Sequence, residues 1–213
     1  MKYKYLFFDL DGTLTDSAPG IIRSVKYALD KFGIVENDEA ALLRFIGPPL
    51  PDSFRDFYGF DDEKAALGVK YYREYYADNG IFENSVYEGI CELLEMLCKK
   101  GHILYLATSK PYEYALRILE KFGLSRFFTG VCGSTMDEKN GGKAFIVSKA
   151  LELSRADKKD VLMIGDRHHD IEGAAVNGID SLGVLYGYGN YEEFVAAGAT
   201  YIANTVSDIS NFV

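Results

Sequence analysis

Carboxylate and hydroxyl side chains follow three apolar runs that lie far apart in the sequence. Lys143 adds a cation just before the helical pattern that leads into the last of these runs. Such groups supply a nucleophile, a general acid, hydrogen-bond donors and a positive charge, which are the parts that phosphoryl transfer needs. The groups are Asp9 and Asp11 after Tyr5–Phe8, Thr108 and Ser109 after Ile103–Ala107, and Asp166 and Asp170 after Val161–Gly165.

The four aspartates repel one another if they share one edge of a sheet. Two like charges 4 Å apart cost about 4 kcal/mol at an effective dielectric constant near 20. The site therefore requires a cation or bound protons. Because all-oxygen ligands suit a hard cation, we expect the four aspartates to surround Mg²⁺. Lys143 and the Thr108 hydroxyl are then expected to face a phosphoryl group.

The two aspartates after the first run divide the chemistry between them. Asp9 and Asp11 are two residues apart, so they share a face if the strand continues through them. Gly12 then allows the chain to turn sharply. We predict that Asp9 is the nucleophile and that Asp11 is the general acid and base, a role that typically contributes ~10²–10⁴ in rate.

The elements that must position these residues form an alternating pattern. Runs without internal polar residues are typical of strands that are buried on both faces of a parallel sheet. A similar run occurs at Ser181–Leu185, and weaker strand signals lie near residues 129–133 and 201–203. Amphipathic helical patterns separate the runs. The sequence thus predicts an α/β fold with a Rossmann-like parallel sheet and helices on both faces. The carboxyl ends of its strands then bring the candidate site residues together.

From about Ser17 to Phe82 the sequence has no good strand pattern, and we expect an all-helical insert there. Ser17 and Asp38 are candidate helix caps, and Gly47–Pro51 breaks the chain. A longer helix is predicted to start at Asp52 or Ser53 and to run to Gly80. The predicted domains are therefore an α/β core of residues 1–15 and 84–213 and the helical insert of residues 16–83.

The composition narrows the classes of partner. The 213-residue chain has 23 Lys and Arg against 32 Asp and Glu, a net charge of −9. An acidic chain without a basic stripe disfavours nucleic acid. Three scattered cysteines predict no disulfide framework, and the first apolar run is too short for a signal peptide or membrane span. We expect a cytoplasmic protein, monomeric or homodimeric, that binds a small phosphorylated metabolite and no membrane.

Four short segments of the sequence resemble the motifs of the haloacid dehalogenase superfamily. An insert directly after the first motif is similar to members with a helical cap, and the overall pattern resembles their phosphoglycolate phosphatase group. The resemblance implies a Mg²⁺-dependent phosphatase, with phosphoglycolate as the favoured substrate. The segments are Asp9–Leu14, Thr108–Pro111, Lys143 and Gly165–Asp170.

The resemblance also implies a role for each matching residue. Asp9 forms an aspartyl-phosphate, and Asp11 protonates the leaving oxygen, activates water and offers its main-chain carbonyl to the metal. Thr108 and the Ser109 amide hold phosphate oxygens, and Lys143 neutralises charge. Asp166 binds the metal directly. Asp170 either binds the metal as well or holds the groups that do.

One position departs from the family pattern, which has Pro after the motif lysine. Here Ala144 follows Lys143, and Lys139 and Lys149 are competing candidates. We retain Lys143 because Gly141 and Gly142 give it a loop from which to reach the site.

Three other functions share parts of this pattern. A phosphosugar mutase returns the phosphoryl group to its substrate, and a dehalogenase needs no acid at Asp11. A phospho-accepting signalling module is the non-enzymatic alternative, but it has no use for a lid. The expected lid function of the helical insert therefore favours an enzyme.

Overall fold

The protein, described here from a computed structural model, is built on a six-stranded parallel sheet. The structure describes residues 2–136 and 142–213. The strand order is β5-β4-β1-β6-β7-β8, which confirms the predicted parallel α/β architecture. The six strands are β1 (Tyr5–Phe8), β4 (Ile103–Pro111), β5 (Phe128–Ser134), β6 (Val161–Gly165), β7 (Asp180–Val184) and β8 (Tyr201–Ala203).

Strand β1 lies at the centre of the sheet and pairs with β4 on one side and β6 on the other. Its last residue, Phe8, is in register with Leu106 and with Ile164. All five residues of β6 are buried, as expected for a strand that is covered on both faces. The chain segments that follow β1, β4 and β6 therefore leave the sheet at the same edge.

Within the described residues of this unit, five α-helices accompany the sheet. Helix α7 contributes Ile146, Val147 and Ala150 to a core that also contains Phe7 and Met163. The helices are α5 (Ile90–Lys99), α6 (Tyr112–Lys121), α7 (Lys143–Ser154), α8 (His168–Asn177) and α9 (Tyr191–Ala197).

The chain divides into two compact units. One consists of the segment up to Thr15 together with Val86–Val213, and the other is Asp16–Ser85. The division falls within a two-stranded sheet formed by β2 (Thr15–Asp16) and β3 (Ser85–Val86).

The second unit is helical and packs around aromatic side chains. Phe54 and Phe60 stack with their ring centroids 5.7 Å apart, and Phe32 meets Phe60 edge to face. Its helices are α1 (Ala18–Asp30), α2 (Glu39–Leu43), α3 (Leu50–Tyr58) and α4 (Asp62–Tyr76).

The prediction of one long helix from residue 52 or 53 to residue 80 is wrong. Gly59 adopts the left-handed conformation with φ 65° and ends α3. Asp61 then caps α4 by accepting a hydrogen bond from the amide of Lys64 at 2.8 Å. Asp38 caps α2 as predicted, accepting from the amide of Ala40 at 2.9 Å.

Among residues 2–136 and 142–213, every helix is too short or too polar to cross a bilayer.

Candidate active site

Three buried carboxylates meet at the carboxyl edge of the sheet. Asp9 follows β1, Asp166 follows β6, and Asp170 lies in the first turn of α8. Each offers an oxygen atom, and these oxygens all lie within 4.8 Å of one another. The amide of Asp9 donates to the carbonyl of Ile164 at 2.9 Å, so the ladder between β1 and β6 continues up to the cluster.

Lys143, the first residue of α7, extends its ammonium group into this cluster. Its Nζ lies 2.7 Å from Asp9 Oδ1 and 2.7 Å from Asp170 Oδ1, and it donates to the carbonyl of Ala107 at 3.0 Å. The side chain is buried. Lys149 instead forms an exposed pair with Glu152, whereas Lys139 lies outside the described residues.

The ionisation of these groups reflects their burial. Burial raises the pKa of Asp9 to about 6, with Lys143 opposing the change and Asp170 adding to it. Burial, followed by the charges of Asp170 and Asp9, also raises the pKa of Asp166 well above its usual value. Burial alone lowers the pKa of Lys143, but Asp170 and Asp9 outweigh it and hold that pKa above normal.

Asp166 is fixed by neighbours that the sequence reasoning did not assign. The hydroxyl of Thr13 donates to Asp166 Oδ1 at 3.3 Å, and the amide of Tyr188 donates to Oδ2 at 2.9 Å. A Cβ at Gly12 or Gly187 would overlap the Asp166 carboxyl group. The glycine next to Tyr188 in the sequence was the available signal, because it permits this close approach of the backbone.

Asp170 is held from two directions. The amide of Arg167 donates to Asp170 Oδ2 at 3.1 Å and closes the first turn of α8. The other oxygen, Oδ1, faces Lys143. A Cβ at Gly165 would overlap this carboxyl group, so the glycine at the end of β6 makes room for it.

Asp11 has a partner that was not predicted. Lys110 Nζ lies 2.9 Å from Asp11 Oδ1 and 2.7 Å from Oδ2, and both side chains are largely buried. Lys110 lies two residues after Thr108, so the alternation of a strand places both side chains on one face. That spacing was the available signal for a second lysine at this site.

The predicted phosphate-binding residues lie in the last part of β4. Thr108 is buried, and its hydroxyl accepts a hydrogen bond from the amide of Lys110 at 3.2 Å. Ser109 is half-buried between them. The register between β4 and β5 shifts between Ala107 and Pro111, so the segment departs from regular strand pairing here.

This arrangement is suited to a cation and a phosphoryl group. Three buried carboxylates against the single ammonium ion of Lys143 leave uncompensated negative charge among the described residues of the cluster. A hard cation with oxygen ligands offsets that charge, so the donor set fits a metal such as Mg²⁺. The positive charge of Lys143 and the Thr108 hydroxyl suit the oxygens of a phosphate.

The fold and the site place the chain in a known class of hydrolases. Residues 6–184 match the haloacid dehalogenase-like hydrolase family. The chain belongs to this family, as the sequence resemblance indicated.

Proteins similar to this chain in sequence are named for different activities. A 5′-nucleotidase of Pseudomonas aeruginosa is 44% identical over 201 residues, covering 94% of this chain and 91% of that protein. The tyrosine-protein kinase PtkA of Mycobacterium tuberculosis is 36% identical over 202 residues, covering 95% of this chain and 69% of that protein.

A solved structure extends the similarity to the whole fold. The crystal structure of a predicted phosphatase from Clostridium acetobutylicum has a TM-score of 0.96 to this chain and 46% sequence identity. The match between the two structures covers 100% of this chain and 98% of the Clostridium acetobutylicum chain.

Proposed function

We propose that the protein is a Mg²⁺-dependent phosphatase that hydrolyses a small phosphate monoester through an aspartyl-phosphate. The observation that carries this proposal is the convergence of Asp9, Asp166 and Asp170 on the ammonium group of Lys143. Such a cluster positions one carboxylate as a nucleophile beside groups that neutralise a phosphoryl charge.

The metal belongs to the carboxylate side of this site. Asp9, Asp166 and the main-chain carbonyl of Asp11 would hold Mg²⁺, with Asp170 as a further ligand or as a support for the others. When bound, the metal neutralises negative charge on the phosphoryl oxygens.

The reaction proceeds in two steps on the chain's own residues. A carboxylate oxygen of Asp9 attacks phosphorus while the bond to the leaving oxygen breaks and Asp11 gives that oxygen a proton. Asp11 then accepts a proton from water, which attacks phosphorus and restores the Asp9 carboxylate. Thr108 and the Ser109 amide hold phosphoryl oxygens throughout, and Lys143 offsets their charge.

We propose two candidate classes of substrate for this phosphatase. Phosphoglycolate is favoured by the motif pattern, and nucleoside monophosphates are supported by the name of the 44% identical relative. Both are small phosphorylated metabolites, in keeping with an acidic chain that has no basic stripe for nucleic acid. A screen of phosphate esters, read as released inorganic phosphate, ranks them directly.

A second candidate function is transfer of the phosphoryl group to an acceptor other than water. The observation that favours it is the 36% identical relative named as a tyrosine-protein kinase. A phosphosugar mutase also transfers the phosphoryl group to an acceptor other than water, because it returns the group to its substrate. Accumulation of a phosphorylated acceptor without stoichiometric inorganic phosphate would support transfer over hydrolysis.

The decisive experiment replaces the nucleophile. We expect Asp9→Asn to abolish phosphate release from p-nitrophenyl phosphate, since an amide cannot form the acyl phosphate. EDTA should abolish the wild-type activity and Mg²⁺ should restore it. The matched control is Asp157→Asn, which alters an exposed aspartate paired with Lys159 and should retain full activity. Full activity of Asp9→Asn would refute the proposed function.

A further inference from the structure

We propose that Lys110 is a positioning residue that fixes the Asp11 carboxyl group for proton transfer to the leaving oxygen. This inference rests on the proposed function, because it assigns Lys110 to the residue that acts there as general acid and base. Neither the motif roles nor Lys143 accounts for a second buried lysine at this edge of the sheet.

The geometry of the pair carries the inference. Lys110 Nζ lies 2.7 and 2.9 Å from the two oxygens of Asp11, so it contacts both of them. The side chain of Lys110 is 6% exposed and that of Asp11 is 14% exposed. An ion pair this far from solvent is stronger and less screened than the exposed pairs at the surface of the protein.

The backbone around Lys110 is also fixed. Its amide donates to the Thr108 hydroxyl at 3.2 Å, in a segment of β4 where the register with β5 shifts. A Cβ at Gly133 of β5 would lie 2.8 Å from the Lys110 carbonyl oxygen, so the two strands approach closely. These contacts fix the backbone position from which the Lys110 side chain extends to Asp11.

The two lysines divide the site between them. Lys143 contacts Asp9 and Asp170, on the side of the nucleophile, and Lys110 contacts Asp11, on the side of the leaving group. In the first step, Lys110 keeps its contact with one Asp11 oxygen and gives up the other contact, and that second oxygen carries the proton that passes to the leaving oxygen. The bond from phosphorus to that oxygen breaks as the bond to Asp9 forms, so electrons and protons balance.

The dependence on leaving group distinguishes this role from phosphate binding. The test measures kcat/KM of Lys110→Met with p-nitrophenyl phosphate, phenyl phosphate and benzyl phosphate, and the inhibition constant of inorganic phosphate. p-Nitrophenolate leaves without a proton, whereas the benzyl alkoxide requires one. A general acid contributes ~10²–10⁴ in rate, so we expect a loss of at least ~100-fold with benzyl phosphate and under ~3-fold with p-nitrophenyl phosphate.

Further variants support the assignment. Lys110→Arg retains the charge and should recover part of the benzyl phosphate activity. Adding Lys110→Met to Asp11→Asn should cause little further loss, because two residues that act as one unit are not additive. Lys149→Met removes a lysine of an exposed pair and should match the wild type on all three esters.

Two outcomes would overturn the inference and leave the proposed function standing. An equal loss on all three esters with weaker phosphate inhibition would mean that Lys110 binds the phosphoryl group. Unchanged kcat/KM on all three would make the pair structural only. If Lys110→Met does not fold, as judged by its circular dichroism spectrum, Lys110→Gln takes its place. The proposed function itself fails separately, on an active Asp9→Asn.

Discussion

At the scale of single residues, we expect both the stability and the chemistry of the site to depend on Lys143. Its ammonium group lies between Asp9 and Asp170 in a buried setting. Removing one partner of a buried ion pair leaves the other charge uncompensated, which costs about 3–5 kcal/mol. We therefore predict that Lys143→Met, measured without metal by urea denaturation, loses stability of this order and also loses phosphatase activity.

The same substitution at Lys149 separates this effect from the loss of any lysine. Lys149 pairs with Glu152 at the surface, and exposed pairs contribute at most about 1 kcal/mol. Lys149→Met should therefore change the free energy of unfolding by about 0.5 kcal/mol or less. Comparable losses in the two variants would show that Lys143 is not the charge that balances the cluster.

The residue types at this site could be predicted from the sequence, but one partnership could not. Asp9 and Asp166 follow apolar runs whose parallel pairing brings their ends together, so their proximity follows from the fold class. The pairing of Lys110 with Asp11 depends instead on how β4 continues past Ala107, where its register shifts. The two-residue spacing from Thr108 to Lys110 is a signal only if the strand continues. A run of polar residues does not predict that continuation, so the second lysine was not assigned a role.

At the scale of elements, the turn after β1 lies against Asp166 and so positions the carboxylate cluster of the site. Gly12 has φ 80°, and a Cβ there would overlap the carboxyl group of Asp166. We predict that Gly12→Ala displaces Asp166 and lowers kcat/KM by at least ~100-fold, as small displacements in catalytic sites do. The Mg²⁺ concentration for half-maximal activity should rise as well.

Gly123 provides a matched control for the backbone. It has φ 66° at the end of α6, and nothing lies within 4 Å of the position of its Cβ. Gly123→Ala therefore carries the same left-handed strain, about 1–2 kcal/mol, without touching the site. We expect it to lose stability and keep its activity. Equal activity in the two alanine variants would rule out the steric role of Gly12.

The elements themselves were predicted to different degrees, and the reasons are physical. Buried strands such as β6 are continuous apolar runs, which the sequence displays directly. The break between α3 and α4 was missed because apolar spacing continues on both sides of it. Gly59 and Asp61 are a helix stop and a helix cap, and these local signals outweigh the periodicity.

At the scale of the whole molecule, the carboxylate cluster makes stability depend on pH when no metal is bound. The pKa of Asp9 is raised to about 6 by burial, and the pKa of Asp166 is also raised. A carboxyl group with a raised pKa in the folded state binds its proton more tightly there than in the unfolded chain. Its contribution to stability is therefore complete below the unfolded pKa of about 4 and is lost as pH rises through the folded value.

Replacement of Asp166 by Asn separates the effect of this carboxyl group on the pH dependence of stability from the effects of other titrating groups. Burial lowers the pKa of His102 and of His169, so these histidines contribute in the opposite direction and act alike in both proteins. Asn retains an oxygen that can accept from the Tyr188 amide but cannot ionise. In EDTA, we predict that Asp166→Asn is more stable than the wild type at pH 7.5 and that this advantage shrinks at pH 5.

Mg²⁺ should reverse the order of the two proteins. A ligand that binds only the folded state adds about 2.7 kcal/mol when its concentration is 100 times its dissociation constant. The wild type should gain this stabilisation, and Asp166→Asn should gain little because it has lost a charged oxygen ligand. Thermal unfolding of both proteins at pH 5 and pH 7.5, with EDTA and with Mg²⁺, measures the difference in stability between them under each condition. Equal stabilisation of the two proteins by Mg²⁺ would exclude Asp166 as a metal ligand, whatever their order in EDTA.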